Sequence, residues 1–590
     1  MMIRWERVRT ILFHMRSYGT AAFVLILLAV GLRLFLIAIG MPEVNSDEGT
    51  MGVEALHIAF QGQRPVFLYG QDYMGVLEAY LAAFFFHLFG VSSFTLRLGM
   101  VIMFALFMVS MYFLSGLLYS KKLAIVTLAL LGFGATGDVL IQQLRAVGGA
   151  IETLLFGSLV LTLAVWLALT AKREQSMRLN IARMAAYAGW GLSAGLGLWT
   201  HFLVAPFVLA GGLILLFFCY RDLLSPAPVL LLLGFFAGFY PFINYNIHAV
   251  PDHRTLYVIQ RIQSAGFIPG ATTTPHLFRK DVFGTILWSL PVATGLAPVC
   301  SLTDLPTYGP ATSATLPCVV VQGGWSLAYL ALMALAVLLA VVALGKLFQL
   351  LIARRSAWTQ EEREAIIIHF SRLMLLMSAA ITLYLYVRSP LSGLKPWSTR
   401  YLVGLLVATP AILWPLWHFA GFERLKLPSY TKIRALFSRG ILAAIAVAIL
   451  AGTVAMFVAL PSVEADNQQQ EALVQGLLHI GATRVYSGYW TGGYRLVFQS
   501  DERIISAVPG GLTESGGNRF ASYVPIVASD PRAAIVFQAG STDALAFARK
   551  IAHSSKHYQR YEFGGYVVYQ PEISASTPST STTARRAGTS

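Results

Sequence analysis

Residues 41–90 read MPEVNSDEGTMGVEALHIAFQGQRPVFLYGQDYMGVLEAYLAAFFFHLFG, and the way they meet a membrane decides the fold. An apolar run at 20–40 precedes them and another at 92–118 follows, each long enough for the roughly 20 residues of a bilayer-crossing helix. Inside the stretch only 77–90 is continuously apolar. As a helix its 14 residues reach about 21 Å, short of a hydrocarbon core about 30 Å thick. The segment therefore reads as a helix lying in, or dipping into, the outer interface. If it crossed, every later loop would change sides.

Charge supports that choice. Arg4, Arg7, Arg9 and Arg16 precede the first run, which predicts a cytoplasmic N-terminus. Further apolar runs at 123–141, 148–171, 183–200, 203–219, 228–243, 325–350, 370–388, 402–419 and 440–460 bring the expected spans to eleven. With alternating crossings, the inside loops collect Lys121 and Lys122; Lys172, Arg173 and Arg178; Arg221; Arg354 and Arg355; and Arg424, Lys426, Lys432 and Arg434. The loop 41–91 instead holds Glu43, Asp47, Glu48, Glu54, Asp72 and Glu78 against a single Arg64. The net charge of +15 is thus largely a topology signal, and no nucleic-acid partner is expected. Only 12% of the 590 residues are charged, against about 25% in soluble domains, and mean hydropathy is +0.65. An ordinary soluble enzyme, a disordered chain and a disulfide-dense secreted scaffold are all excluded.

The fold class that follows is an α-helical polytopic membrane protein of about eleven transmembrane helices, with a small C-terminal α/β extracytoplasmic domain. Residues 1–461 form the membrane domain, with the acidic outer loop 41–91 and a long outer loop 244–324. Residues 462–572 form the α/β domain, with a helix at 471–480 and strands at 484–490, 494–500, 533–538 and 566–570. The low-complexity end, 573–590, reads as a disordered tail. Cys300 and Cys318 share the long outer loop and are disulfide candidates in an oxidising compartment, with two free thiols as the alternative. No internal repeat is visible, which removes the usual mark of a secondary transporter.

Asp47 and Glu48 carry the first chemical question. They follow Gly40, the end of the first span, by seven residues, which places them at the outer membrane surface. Adjacent carboxylates repel, so at a partly desolvated site one can act as a general base. The pair also suits a divalent cation, Mg or Mn, and metal use stays open. The plainer alternative is a solvated helix start, since Asn45, Ser46 and Asp47 are all good N-caps. Arg145 and Glu152 are seven residues apart, two helical turns, which places them on the same face. Arg33, two-thirds along the first span, calls for a buried partner, and an acid is the expected one.

The first span, the Asp47-Glu48 pair, the loop ending in QDYMGVLEAYL, the FG-x-S-x-F-x-x-R step (Phe89, Gly90, Ser92, Phe94, Arg97) and Arg400-Tyr401-Leu402 entering a late span together resemble the C-type membrane glycosyltransferases. Within that superfamily the pattern is similar to family 39-like protein O-mannosyltransferases and lipid A aminoarabinose transferases. It extends over roughly 10–460 and is strongest over 40–100. GQDYMG (70–75) stands where the aminoarabinose transferases have a proline-rich step. The resemblance implies a polyprenyl-phosphate sugar as donor and inverting transfer on the outer face to a glycan, lipid or protein acceptor. It implies Asp47 as base with Glu48 assisting, and donor or phosphate binding by Arg145, Arg400, Tyr401, Asp72, Tyr73, Glu78 and Glu152. It also implies a bacterial inner membrane, with the C-terminal domain periplasmic. A transporter or flippase of a lipid-linked substrate and a non-catalytic membrane scaffold are the competing readings.

Overall fold

The computed structural model describes residues 2–134, 137–171, 181–265, 278–354, 359–389, 392, 396–422, 432–488, 490–510 and 517–572. Lys172, Arg173, Arg178, Arg355, Arg424, Lys426 and the tail 573–590 lie outside these. The chain divides into two compact units, Met1–Asn467 and Gln468–Ser590.

The first unit is a helical bundle, and the chain is a multi-pass membrane protein. Among the described residues eight helices are long and apolar enough to cross a bilayer: Ser17–Ala38, Ser93–Leu118, Ala150–Thr170, Ala227–His248, Thr315–Leu350, Gln360–Arg388, Ser398–Ala420 and Lys432–His479. Three expected spans take other forms. The 203–219 run is the shorter Phe202–Phe218; 77–90, which is not among the expected spans, is the short helix Leu77–Phe89, as expected. The 183–200 run is Ile181–Thr200, whose many glycines lower its hydropathy but serve its packing. Gly191 and Gly195 face Gly234 and Gly238 of Ala227–His248. A Cβ on any of the four would overlap the other helix's backbone, so only glycine permits this approach.

The 123–141 run is not one helix. It stops at Phe133 and resumes as Gly137–Leu144. Breaking a helix in a bilayer strands backbone carbonyls that no water can reach. Arg33 supplies the remedy, donating to the Gly132 and Leu131 carbonyls and to Gln143 Oε1 (2.7 Å), with its guanidinium 3.8 Å from the Phe104 ring centroid. Its buried partners are therefore helix-end carbonyls and an amide, not the expected acid. Cys300 and Cys318 form a disulfide beside the buried Leu287, Trp288 and Val292.

The second unit is built on a five-stranded sheet, ordered β2-β1-β3-β5-β4: β1 Arg484–Ser487, β2 Ile505–Ala507, β3 Ala534–Gln538, β4 Tyr558–Phe563 and β5 Tyr566–Pro571. The first three are parallel, and β5 and β4 add antiparallel. Leu473, Val474, Leu477, Val485, Leu496, Val536 and Val568 form its core. The expected strand at 494–500 is instead a helix, Gly493–Gln499. Parallel β1 and β2 need a crossover between them, and this apolar segment provides it with Tyr494 to Phe498 all buried. The β4–β5 hairpin turns on Gly564 and Gly565, both at positive φ (53° and 80°), the geometry of a tight two-residue loop.

Candidate active site

The acidic loop folds as a helix, Ser46–Gln61, because its start is well capped. The Asn45 side chain accepts from the Glu48 N–H at 2.9 Å, and Gly62 closes the far end at φ 69°. This puts Asp47 and Glu48 in the first turn, where the helix dipole favours negative charge. From Ser46 to His57 every residue is buried.

The two adjacent acids then separate in role. Glu48 is fully buried and paired in a fork to Arg97, Nε to Oε1 at 2.8 Å and Nη2 to Oε2 at 2.6 Å. Its Oε1 also accepts from the Ala146 N–H at 3.1 Å. The FG-x-S-x-F-x-x-R step now has a physical meaning. Ser92 caps the Ser93–Leu118 helix by accepting from the Thr95 N–H, and Arg97, one turn in, reaches Glu48. Asp47 instead turns toward Arg400, with Oδ2 3.7 Å from Nη1, and retains 9% side-chain exposure. Glu48 gives both oxygens to Arg97, which leaves Asp47 as the less engaged carboxylate of the pair. Among the described residues no three His, Cys, Asp or Glu side chains gather as a metal site.

Arg400 lies in Pro396–Ala408, a segment wound in 3₁₀ turns before the regular helix Thr409–Ala420. Its Nη2 donates to the Tyr401 hydroxyl at 3.2 Å, and its guanidinium lies 5.2 Å from that ring's centroid. Tyr401 neighbours His201 (6.2 Å between ring centroids), and His201 neighbours Tyr73 (6.4 Å). His201 Nδ1 accepts from the Leu203 N–H, while burial and then the Arg400 charge push the imidazole down to about 4, so it is neutral at pH 7.

Arg145 and Glu152 are not on one helix face, which corrects the sequence expectation. The helix ends at Leu144, and the next begins at Ala150 after two left-handed glycines, Gly148 and Gly149. Arg145 stands in the turn between, its Nη2 donating to the Glu43 carbonyl at 2.7 Å. Burial lowers its pKa, while Glu48, Glu43 and Asp47 favour its charged form. Glu78 and Glu152 lie beneath that turn, both fully buried. Asp72 points away from the Asp47 cluster. Its carboxylate accepts from the Tyr245 hydroxyl (2.8 Å) and meets His253 Nδ1 (2.7 Å), and its carbonyl accepts from the Thr255 hydroxyl. No local signal links Asp72 to partners more than 170 positions away. The structure thus brings together Asp47, Arg400, Tyr401, Tyr73, His201 and Arg145, with Glu48, Glu78 and Glu152 behind them and Asp72 to one side.

Neither a protein-family model nor a curated protein sequence matches the chain. Solved structures do. ArnT from Cupriavidus metallidurans bound to undecaprenyl phosphate aligns with a TM-score of 0.53 at 14% identity, over 93% of this chain and 97% of that one. Apo ArnT gives 0.51 at 12% identity, over 94% and 98%. The oligosaccharyltransferase AglB from Archaeoglobus fulgidus, with an inhibitory peptide and a dolichol-phosphate, gives 0.47 at 16%, over 94% of this chain and 74% of that one. The fold is that of the C-type membrane glycosyltransferases. In that fold the Asp47–Arg400 cluster sits at the end of the bundle where Ser93–Leu118 and Ala150–Thr170 begin and Ile181–Thr200 ends.

Proposed function

We propose that this chain is an integral-membrane glycosyltransferase that takes a sugar from a polyprenyl-phosphate donor and transfers it, with inversion, to a glycan, lipid or protein acceptor. The observation that carries this reading is the pairing of a nearly buried carboxylate, Asp47, with a guanidinium, Arg400, that can take a phosphate. Support comes from the likeness in fold to a protein solved with undecaprenyl phosphate.

In this reading the donor phosphate draws Arg400 away from Asp47 and frees it, and Arg145 adds its charge to the phosphate. Asp47 accepts the proton of the acceptor hydroxyl as its oxygen bonds to the anomeric carbon. The bond from that carbon to the phosphate oxygen breaks, and polyprenyl phosphate leaves with its charge neutralised by the two guanidinium groups. Glu48 contributes at one remove, since its fork to Arg97 fixes the first helical turn from which Asp47 projects. Tyr73, Tyr401 and His201 wall the place where the sugar sits. The active site and C-terminal unit face the periplasm of a bacterial inner membrane, and the N-terminus is cytoplasmic.

The test is release of polyprenyl phosphate from a panel of radiolabelled polyprenyl-phosphate sugars by purified protein with an acceptor extract. Wild type is expected to release it, and Asp47→Asn to do so about 100- to 10,000-fold more slowly, the range of a general base. Equal turnover removes Asp47 as base. No release from any donor by folded protein turns the reading toward a transporter or flippase, or a scaffold.

A further inference from the structure

The turn that carries Arg145 is held from beneath by acids. Glu48 Oε1 accepts from the Ala146 N–H at 3.1 Å, and Glu78 Oε2 from the Gly148 N–H at 2.9 Å. Glu152 follows three residues behind Gly149, the N-cap of the next helix, and its carboxyl faces that of Glu78. Both side chains are cut off from water, and neither Glu152 oxygen receives a backbone or side-chain N–H at hydrogen-bonding geometry. Two facing carboxylates in such a place cannot both be ionised, but one proton between them makes a strong carboxyl–carboxylate hydrogen bond. Glu48 adds no further free charge, being neutralised by Arg97.

The turn itself has little freedom. Gly148 and Gly149 sit at φ 84° and 85°, where side chains other than glycine are strained. A Cβ on Gly148 would come within 2.8 Å of the Met74 methyl, and one on Gly149 would overlap the His201 ring. Whatever sets the height of this turn therefore sets Arg145 on one side of it and His201 on the other.

We propose that Glu78 and Glu152 act as one proton-sharing pair that positions the Arg145–Gly149 turn, and through it the Arg145 guanidinium and the His201 ring. Resting on the reading of Arg145 as a donor-phosphate ligand, this makes the two glutamates positioning residues that do not touch the donor. A single Gln at either place keeps a donor facing an acceptor and should be tolerated. Glu78→Met keeps the volume but removes the acceptor for Gly148.

The experiment pairs hydrogen exchange over residues 145–152, in detergent-solubilised full-length protein, with donor kinetics. Glu78→Met is expected to speed exchange in the turn about tenfold, the equivalent of one lost buried hydrogen bond, and to raise the donor KM about tenfold while kcat changes far less. Glu78→Gln and Glu152→Gln should stay close to wild type in both. Unchanged exchange and KM in Glu78→Met would overturn the proposal, as would Glu78→Gln proving as damaging as Glu78→Met. If Glu78→Met does not accumulate, Glu78→Gln and Glu152→Gln decide the matter, since faster exchange in the turn or a raised donor KM in either overturns the proposal. If no donor turns over at all, the proposed function fails. Exchange then still decides the positioning role, with binding of undecaprenyl phosphate to the same variants replacing KM.

Discussion

Arginines work differently at the two ends of the membrane bundle. At the end opposite Asp47 they close helices. Arg372 donates through Nε to the Leu118 carbonyl (2.8 Å) and Arg439 to Ala420 (3.0 Å), while Arg363 reaches the Ala171 and Phe218 carbonyls. Each places a cation on the last-turn carbonyls of a helix, where the dipole is negative and those carbonyls have no partner within the helix. At the acidic end, Arg97 and Arg400 face carboxylates, and Arg145 stands in a turn with a single carbonyl bond. Guanidinium groups whose bonds are all spent on backbone serve stability. Arg97, buried against Glu48, is spent on the fold as well, whereas Arg400 and Arg145 can be lent to a ligand.

The comparison is easiest to break at Glu48. Glu48→Ala leaves Arg97 buried without its partner, and removing half of such a pair costs about 3–5 kcal/mol. The expected outcome is a large loss of thermal stability in detergent, with substantial recovery when Arg97→Met is added. If the double variant is stable yet inactive, Glu48 matters to the site through more than the fold. If it is active, Glu48 is scaffold alone.

Arg372→Gln probes the other end. The arginine is stacked between Tyr119 and Trp414 (4.7 and 4.3 Å to the ring centroids) and satisfies the Leu118 carbonyl. Its loss should cost about 1–3 kcal/mol by leaving a buried acceptor unpaired, with turnover per folded molecule unchanged. Arg400→Gln should show the converse, with turnover lost and the melting temperature nearly kept. A drop in turnover for Arg372→Gln would mean that the two ends are not separate in function.

A third variant sharpens the acidic end itself. Glu54 lies two turns beyond Asp47 on the same helix, fully buried, and desolvation raises its pKa well above 4.5 against a smaller opposing effect of the Tyr69 backbone. The folded state therefore keeps a proton that the unfolded chain gives up above about pH 4.5, and stability falls as pH rises until the folded-state pKa is passed. The slope is about 1.4 kcal/mol per pH unit. Glu54→Gln should match wild type near pH 4.5 and become the more stable protein as pH rises, read by denaturation at a series of pH values. A constant difference across pH would show that Glu54 is ionised in the fold.

Much of this was legible in the sequence, and the parts that were not share a cause. Hydropathy and loop charge report where helices meet water, so the first span, the short 77–90 helix and the acidic end could be read directly. The Ser92 cap and Arg97 were visible as a pattern, but their meaning needed Glu48, which is 49 positions from Arg97. The helix end at Phe133 was hidden because its last carbonyls are satisfied by Arg33, about a hundred positions away. The 494–500 segment misled because aromatic and branched residues suit a strand or a buried crossover equally well. Only the pairing of β1 with β2 decides between them.

Asp72 shows the same limit on the smallest scale, and a modest prediction follows. It sits one residue before Tyr73, which faces His201, yet its own carboxylate is spent on Tyr245 and His253. The His253 side chain is 62% exposed, so its bond to Asp72 is worth at most about 1 kcal/mol and is screened by salt. His253→Ala should therefore shift stability by less than that and leave donor KM unchanged. Asp72→Ala, which also strips the partner of the half-buried Tyr245 hydroxyl, should cost more and disturb Tyr73 beside it. If His253→Ala alone raised donor KM, this exposed contact would belong with Asp47 and Arg400 in the site. The division between arginines lent to ligand and groups spent on fold would then have to be redrawn to include a histidine at its edge.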